Sequence, residues 1–337
     1  MNGDRVDDEL RAAFAAAEDD AASPAERAEM LMEIAMGLQQ RPKTPQQIAA
    51  AIDLYDRALT LVPSSEPLLL ARIAARRGTA LLATPGDGAE ALVAARAAFE
   101  AAIPHFVDLG RAEELAEAEM NLGLAIQNLA GLQKARITDA ISAYQRALRT
   151  FDKIRFPKEF AILQNNLATA FLSMPFTDSR AKMREALAVQ AFEEGLRIVN
   201  IIDHPAEYAM LQNNLGNALQ YASSSHTVEN NLRALDAYDE ALKVRTREAM
   251  PLEYANTIAN KANCRWNLPD DLEKADAGNR ANMLLAQECY REAREIFSGS
   301  GEFEKARIVT EACDQIGREL LSLTPARDAG RQERTAS

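Results

Sequence analysis

Asn256, Asn260, Asn263 and Asn267 are spaced four, three and four residues apart, the interval at which side chains share one face of an α-helix. A side-chain amide carries donors and an acceptor, so a row of them hydrogen-bonds the backbone of an extended peptide without demanding a particular sequence. Equivalent positions upstream give Met210, Asn214, Asn217 and Tyr221, then Ile162, Asn166, Thr169 and Ser173, then Glu117, Asn121, Leu124 and Asn128. Asn is a mediocre helix former, and four in one helix cost about 2 kcal/mol relative to Ala. Such a cost calls for a role. Ligand binding is one; the other is that the amides tie neighbouring helices together or satisfy loop backbone. Nearer the N-terminus the stripe becomes Arg72, Arg76 and Thr79, where two guanidinium groups either hold an acidic side chain or a terminal carboxylate, or form a solvated basic face.

Other residue types offer little for catalysis. His105, His204 and His226 stand far apart, and no His pair at helical spacing, paired-cysteine motif, glycine-rich phosphate loop or nucleophile motif is present. Cys264, Cys289 and Cys313 are 25 and 24 residues apart, which suits reduced thiols packed between helices. Glu193-Glu194 and Asp270-Asp271 read as solvated surface. The expectation is a protein that is not an enzyme and needs no cofactor and no metal. A net charge of −12 opposes a phosphate backbone, so nucleic acid is not an expected partner. No apolar stretch reaches the roughly 18 residues that span a bilayer, and Met1 to Leu10 lacks the apolar core of a signal peptide, which points to a cytoplasmic protein without a membrane partner.

The elements that must position these residues follow from a second pattern. Ala, an aromatic four residues on and a small residue three further occur at Ala51/Tyr55/Ala58, Ala95/Phe99/Ala102, Ala140/Tyr144/Ala147, Ala188/Phe192/Gly195, Ala234/Tyr238/Ala241 and Ala286/Tyr290/Ala293. The copies start 44, 45, 48, 46 and 52 residues apart, the signature of an array of helical repeats. Each copy is preceded by a matching first helix, seen in Leu163-Gln164-Asn165-Asn166-Leu167-Ala168 and Leu211-Gln212-Asn213-Asn214-Leu215-Gly216. Small residues in both helices let them approach closely while the aromatic fills the gap beside them. Pro157, Pro205 and Pro251 mark the joints after second helices, and Pro85, Pro175 and Pro269 those after first helices. Pro104 falls inside a second helix and is expected to kink or end it.

These positions predict an all-α array at 24–300, with units near 24–64, 67–110, 113–157, 159–205, 207–251 and 253–300. An acidic segment at 1–23 precedes it. A capping helix at 301–323, with Ile308, Ala312 and Ile316 toward the last repeat, and a disordered tail at 324–337 follow.

A period near 46 fits HEAT or armadillo units, yet Leu122-Gly123 and Leu215-Gly216 in the first helix, with the Ala–aromatic–Ala spacing of the second, resemble the tetratricopeptide pattern. Within that family the chain is similar to the longer bacterial repeats with an Asn-Asn-Leu-Gly first helix and to the repeats of kinesin light chains, well over 113–300 and weakly over 24–110. Arg77-Gly78 and Lys261-Ala262 depart from Leu-Gly. The resemblance implies a right-handed α-solenoid of about six helix pairs whose first helices line a concave groove. It implies peptide contacts at the Asn before Leu-Gly, namely Asn121, Asn166 and Asn214, with Asn260 by alignment.

The function expected is a scaffold or adaptor that binds an extended segment of a partner protein, with Asn121, Asn166, Asn214, Asn217, Tyr221, Asn256, Asn260, Asn263, Asn267, Arg72 and Arg76 as contact residues. The alternative is an assembly chaperone or peptide-sensing regulator that holds its client transiently. Self-association through an exposed repeat face stays open.

Overall fold

The computed structural model describes residues 14–15, 22–40, 42, 44–84, 86, 88–175, 180–223, 226–274 and 277–323. The tail expected at 324–337 lies outside the described residues, as does most of the segment expected at 1–23. Thirteen α-helices and no strand are found among the described residues. In chain order they are α1 (Pro24–Gln40), α2 (Pro45–Leu61), α3 (Pro67–Leu82), α4 (Ala89–Leu109), α5 (Ala112–Gly131), α6 (Ile137–Ala147), α7 (Pro157–Leu172), α8 (Ala181–Leu196), α9 (Pro205–Gln220), α10 (Thr227–Leu242), α11 (Pro251–Trp266), α12 (Arg280–Gly299) and α13 (Phe303–Ser322).

The chain forms two compact units, residues 1–175 and 176–337. In the first, α1 to α7 pack in order, and α1, α3, α5 and α7 also touch one another in succession. In the second, α8 to α13 pack in order and α9 touches α11. Adjacent pairing with a layer of first helices is the packing of an α-helical repeat array.

The close approach within a pair is set by a small residue facing a ring. A Cβ on Gly123 of α5 would stand 2.5 Å from Tyr144 Cε1 on α6, one on Gly216 of α9 2.6 Å from Tyr238 Cε1 on α10, and one on Gly78 of α3 2.8 Å from Phe99 Cζ on α4. All three rings are fully buried. Four residues beyond the small residue, the first helix carries an amide opposite Tyr55, Tyr144 and Tyr238, and Trp266 opposite Tyr290. Tyr144 Oη donates to Gln127 Oε1 at 2.8 Å, and Tyr238 Oη lies 2.8 Å from Asn217 Oδ1 and 2.9 Å from Gln220 Oε1. Tyr55 Oη likewise donates to Gln39 Oε1 at 2.9 Å, four residues after buried Ala35. Opposite Phe99 the equivalent residue is Leu82, packed in the same apolar cluster. A buried phenol needs a partner and a phenyl ring does not.

The two departures from Leu-Gly have one explanation. Leu122, Leu167 and Leu215 are buried. Arg77 instead reaches Asp56 on the preceding α2, Nε to Oδ1 at 2.5 Å, and Lys261 pairs with Asp239 on the preceding α10. Each carboxylate directly follows the ring residue of its helix, Tyr55 or Tyr238, so a cation on the next first helix replaces an apolar contact with an ion pair at the same place.

Pro67, Pro157, Pro205 and Pro251 each open a first helix, where a missing N–H costs nothing. The helix α4 is not ended by Pro104; it continues to Leu109, and Phe106, one turn end away, is buried in the core. On α13 the buried stripe is Ala306, Val309, Cys313, Ile316 and Leu320, so Ile316 faces the last pair as expected while Ile308 is exposed.

A recurrent turn leads into the first helices. Asp152 Oδ1 accepts from Ile154 N at 2.9 Å and Arg155 N at 3.0 Å, and Asn200 Oδ1 accepts from Ile202 N and Asp203 N, both at 2.9 Å. The Arg155 backbone N–H, its guanidinium and the Ile154 N–H together lower the Asp152 pKa from 3.8 to about 2. The folded value lies below the unfolded one, so the stability Asp152 adds is present above about pH 4 and is lost as pH falls from about 4 to 2. Asp152→Asn, which keeps the turn in the form Asn200 already shows, is expected to flatten that loss. Melting temperatures from pH 5 to pH 2 test this, and parallel curves for the two proteins would refute it.

Candidate functional site

In the second unit the predicted stripe lies on α9 and α11, and most of its amides are engaged at one end. Buried Asn213, which composition alone did not single out, sits at the centre: its Nδ2 donates to Asn214 Oδ1 at 3.0 Å and its Oδ1 accepts from Asn260 Nδ2 at 3.3 Å. Asn217 Oδ1 lies against the Tyr238 hydroxyl. Asn263 Nδ2 donates to Tyr221 Oη at 2.7 Å, joining α11 to the end of α9. Asn256 Nδ2 donates to Leu252 O at 2.8 Å and Asn267 Nδ2 to Asn263 O at 2.7 Å, both one turn back in their own helix.

Of the two roles left open in the sequence, the structure displays the joining of helices. Asn213, Asn217, Asn260 and Asn263 join helices, while the carbonyl oxygens of Asn256, Asn260, Asn263 and Asn267 accept no hydrogen bond among the described residues. What α11 offers outward is a line of amide acceptors, each amide nitrogen keeping a second N–H. Tyr221, 69% exposed, stands beside it.

In the first unit, Asn121 is partly exposed and lines a cavity of about 40 Å³ with Arg72, Arg76 and Thr79. That is room for about one water. The two cations are already paired within the chain, Arg72 Nε with Glu114 Oε1 at 2.7 Å and Arg76 Nη1 with Glu117 Oε1 at 3.0 Å. Partial burial works against the Glu114 charge, but the Arg72 and Arg111 contacts outweigh it and hold the carboxyl below its ordinary pKa. Both guanidinium groups thus join α3 to α5. Asn166 is partly exposed, and its Oδ1 accepts from buried Asn165 Nδ2 at 3.2 Å.

One further polar group escaped the sequence reading. The residue four past the second small position is buried Phe106, Phe151, Val199 and Phe297 in four copies, but Arg245 in a fifth. Thr257 on α11 replaces Leu163 and Leu211, which are fully buried. The two exchanges meet: Arg245 Nη1 donates to Thr257 Oγ1 at 3.0 Å, and Thr257 Oγ1 lies 3.1 Å from Asn213 Oδ1. Burial pulls the Arg245 pKa below its ordinary value, and its Nε has no partner. A polar residue at a register that is apolar in the other copies was the available signal.

His204 and His226 precede α9 and α10 as helix caps, and His105 lies within α4. No group of three or more His, Cys, Asp or Glu residues that could hold a metal ion occurs among the described residues. Cys264 is buried with Sγ 3.1 Å from Asn231 O, and burial pushes its thiol pKa up to about 12. No described helix is long and apolar enough to cross a membrane.

No family model matches the chain, and no curated protein matches it. Among solved structures it is similar to the crystal structure of BtubC (BKLC) from P. vanneervenii, at 17% identity over 93% of this chain and 95% of that chain, with a TM-score of 0.39. It is also similar to a Rap protein complexed with competence and sporulation factor, at 14% identity over 88% of this chain and 82% of that chain, with a TM-score of 0.44. At those values the assignment as a helical repeat protein rests on the packing of the helices described above.

Proposed function

We propose that the chain is a non-catalytic, cytoplasmic interaction protein of the longer tetratricopeptide type, binding an extended segment of a partner protein along its first-helix faces. The supporting observation is the outward row of amide carbonyls on α11 beside exposed Tyr221. An extended peptide has unpaired backbone N–H groups, and a row of fixed acceptors suits them without specifying its side chains.

Asn267 and Tyr221 are the most exposed members of the row, so replacing both with Ala is expected to change stability by no more than about 0.5 kcal/mol. Affinity capture from native lysate with the wild type and with Tyr221→Ala/Asn267→Ala tests the reading. A partner retained by the wild type and lost by the double variant, at equal melting temperature, supports it. Partners held equally by both proteins would place the interface elsewhere.

A further inference from the structure

An open depression of about 650 Å³ lies in the second unit where the end of α11, the insertion before α12 and the face of α13 meet. Its wall is held by hydrogen bonds. Asp270 N donates to Gly278 O at 2.8 Å, with Gly278 at a φ of 70°, and the Asp270 carboxylate accepts from Ala281 N and Asn282 N at 2.8 and 2.9 Å. Asn279 Nδ2 donates to Trp266 O at 2.8 Å. The insertion that lengthens this repeat is thus pinned at the start of α12 and shapes a recess.

The rim carries one carboxylate and no cationic side chain. Trp266 Nε1 donates to Glu319 Oε2 at 2.9 Å, and Gln315 Nε2 donates to Glu319 Oε1 at 3.2 Å. Asn263 and Asn267 spend their Nδ2 groups inward, as described above. Each lining amide nitrogen spends one N–H within the chain, and a carboxylate, four amide groups and a partly exposed indole line the recess. Glu319 has no basic group within ion-pair distance among the described residues, and Arg280, at the same end of the unit, donates Nη1 to Leu320 O instead. A carboxylate held at the edge of an indole, with no cationic side chain among the lining residues, favours a cation with several N–H donors. The volume exceeds the needs of a bare ion and admits a guanidinium or ammonium group on its stem.

We infer that this recess is the specificity pocket for an Arg or Lys side chain of the bound segment, with Glu319 as its ion-pair partner and Trp266 as the surface it lies on. The inference rests on the peptide-binding reading and adds to it a charge preference. The net charge of −12 would steer a basic segment toward the chain.

Trp266 is the single tryptophan, so its emission reports on the recess without a label. The probes are three pools of acetylated, amidated nonapeptides, randomised except for a central Arg, citrulline or Glu, titrated into the full chain. The Arg pool is expected to shift Trp266 emission at concentrations about tenfold below those needed for the citrulline pool, which matches it in shape but not in charge. That margin should shrink as salt rises, a test that needs no variant, and it should vanish in Glu319→Gln. Equal responses to Arg and citrulline, or a stronger response to Glu, would overturn the charge preference while leaving peptide binding intact. No emission change with any pool, and no pool retained on immobilised protein, would overturn both.

Discussion

Gly123→Ala and Gly216→Ala are each expected to destabilise the chain by about 2 kcal/mol, although Ala is the better helix former by about 1 kcal/mol. The sign is decided by space. The added methyl group would meet Tyr144 at 2.5 Å or Tyr238 at 2.6 Å, and those rings are fully buried and tied through their hydroxyls to Gln127 and to Asn217 and Gln220. Neither ring can move aside without breaking that bond and opening the helix pair, and overpacking of this kind commonly costs about 1–3 kcal/mol. Gly37 is the internal control. It lies in α1, is exposed, and has nothing within 4 Å of an added Cβ. Gly37→Ala should therefore gain up to about 1 kcal/mol. Urea unfolding followed by helical circular dichroism compares the three variants, and a gain in stability at Gly123 or Gly216 would contradict the close-packing account.

Arg245→Val with Thr257→Leu should stabilise the protein by about 2 kcal/mol, since replacing a buried polar pair with apolar residues of fitting shape is often worth about 1–4 kcal/mol. The exchange restores at one joint what other joints have, Val199 in one position and Leu211 in the other, both buried. It also removes a desolvated guanidinium whose Nε has no partner. Thr257→Leu alone should have the opposite sign and lose about 1–3 kcal/mol, because the partly buried Arg245 then loses its acceptor. Thermal melts of the single and double variants decide the matter. A double variant less stable than the wild type would mean that the polar joint supports the array in a way its contacts do not reveal.

The repeat was legible because its determinants are local. Alanines at the crossing, an aromatic beside them and proline at the joints impose the same spacing on each copy, and the structure places a helix wherever that spacing asked for one. The amide stripe was legible as a face but not as a set of bonds. Helical periodicity puts Asn256, Asn260, Asn263 and Asn267 on one side of α11, yet which amide end turns inward depends on partners 42 to 47 residues away for Asn263 and Asn260. Arg72 and Arg76 show the same limit. Their charge and spacing are plain in the sequence, while their neutralisation by Glu114 and Glu117 is a property of the packed α3–α5 pair. Pro104 was misleading for the opposite reason: the local rule expects an interruption, and burial of Phe106 further along α4 accompanies a helix that continues.

The alternation of Tyr and Phe in the first unit bears on how the chain finds its fold. Pairs in a repeat array resemble one another enough for a second helix to dock on the wrong first helix during folding, a known failure of such chains. Here the mistake is penalised by chemistry. Tyr55 or Tyr144 docked against α3 would bury a hydroxyl beside Leu82, and Phe99 docked against α1 or α5 would leave Gln39 or Gln127 facing a ring with nothing to donate. A misplaced tyrosine strands a buried hydroxyl at a cost of about 1–3 kcal/mol, so neighbouring pairs carry different keys that disfavour a wrong order of the helices.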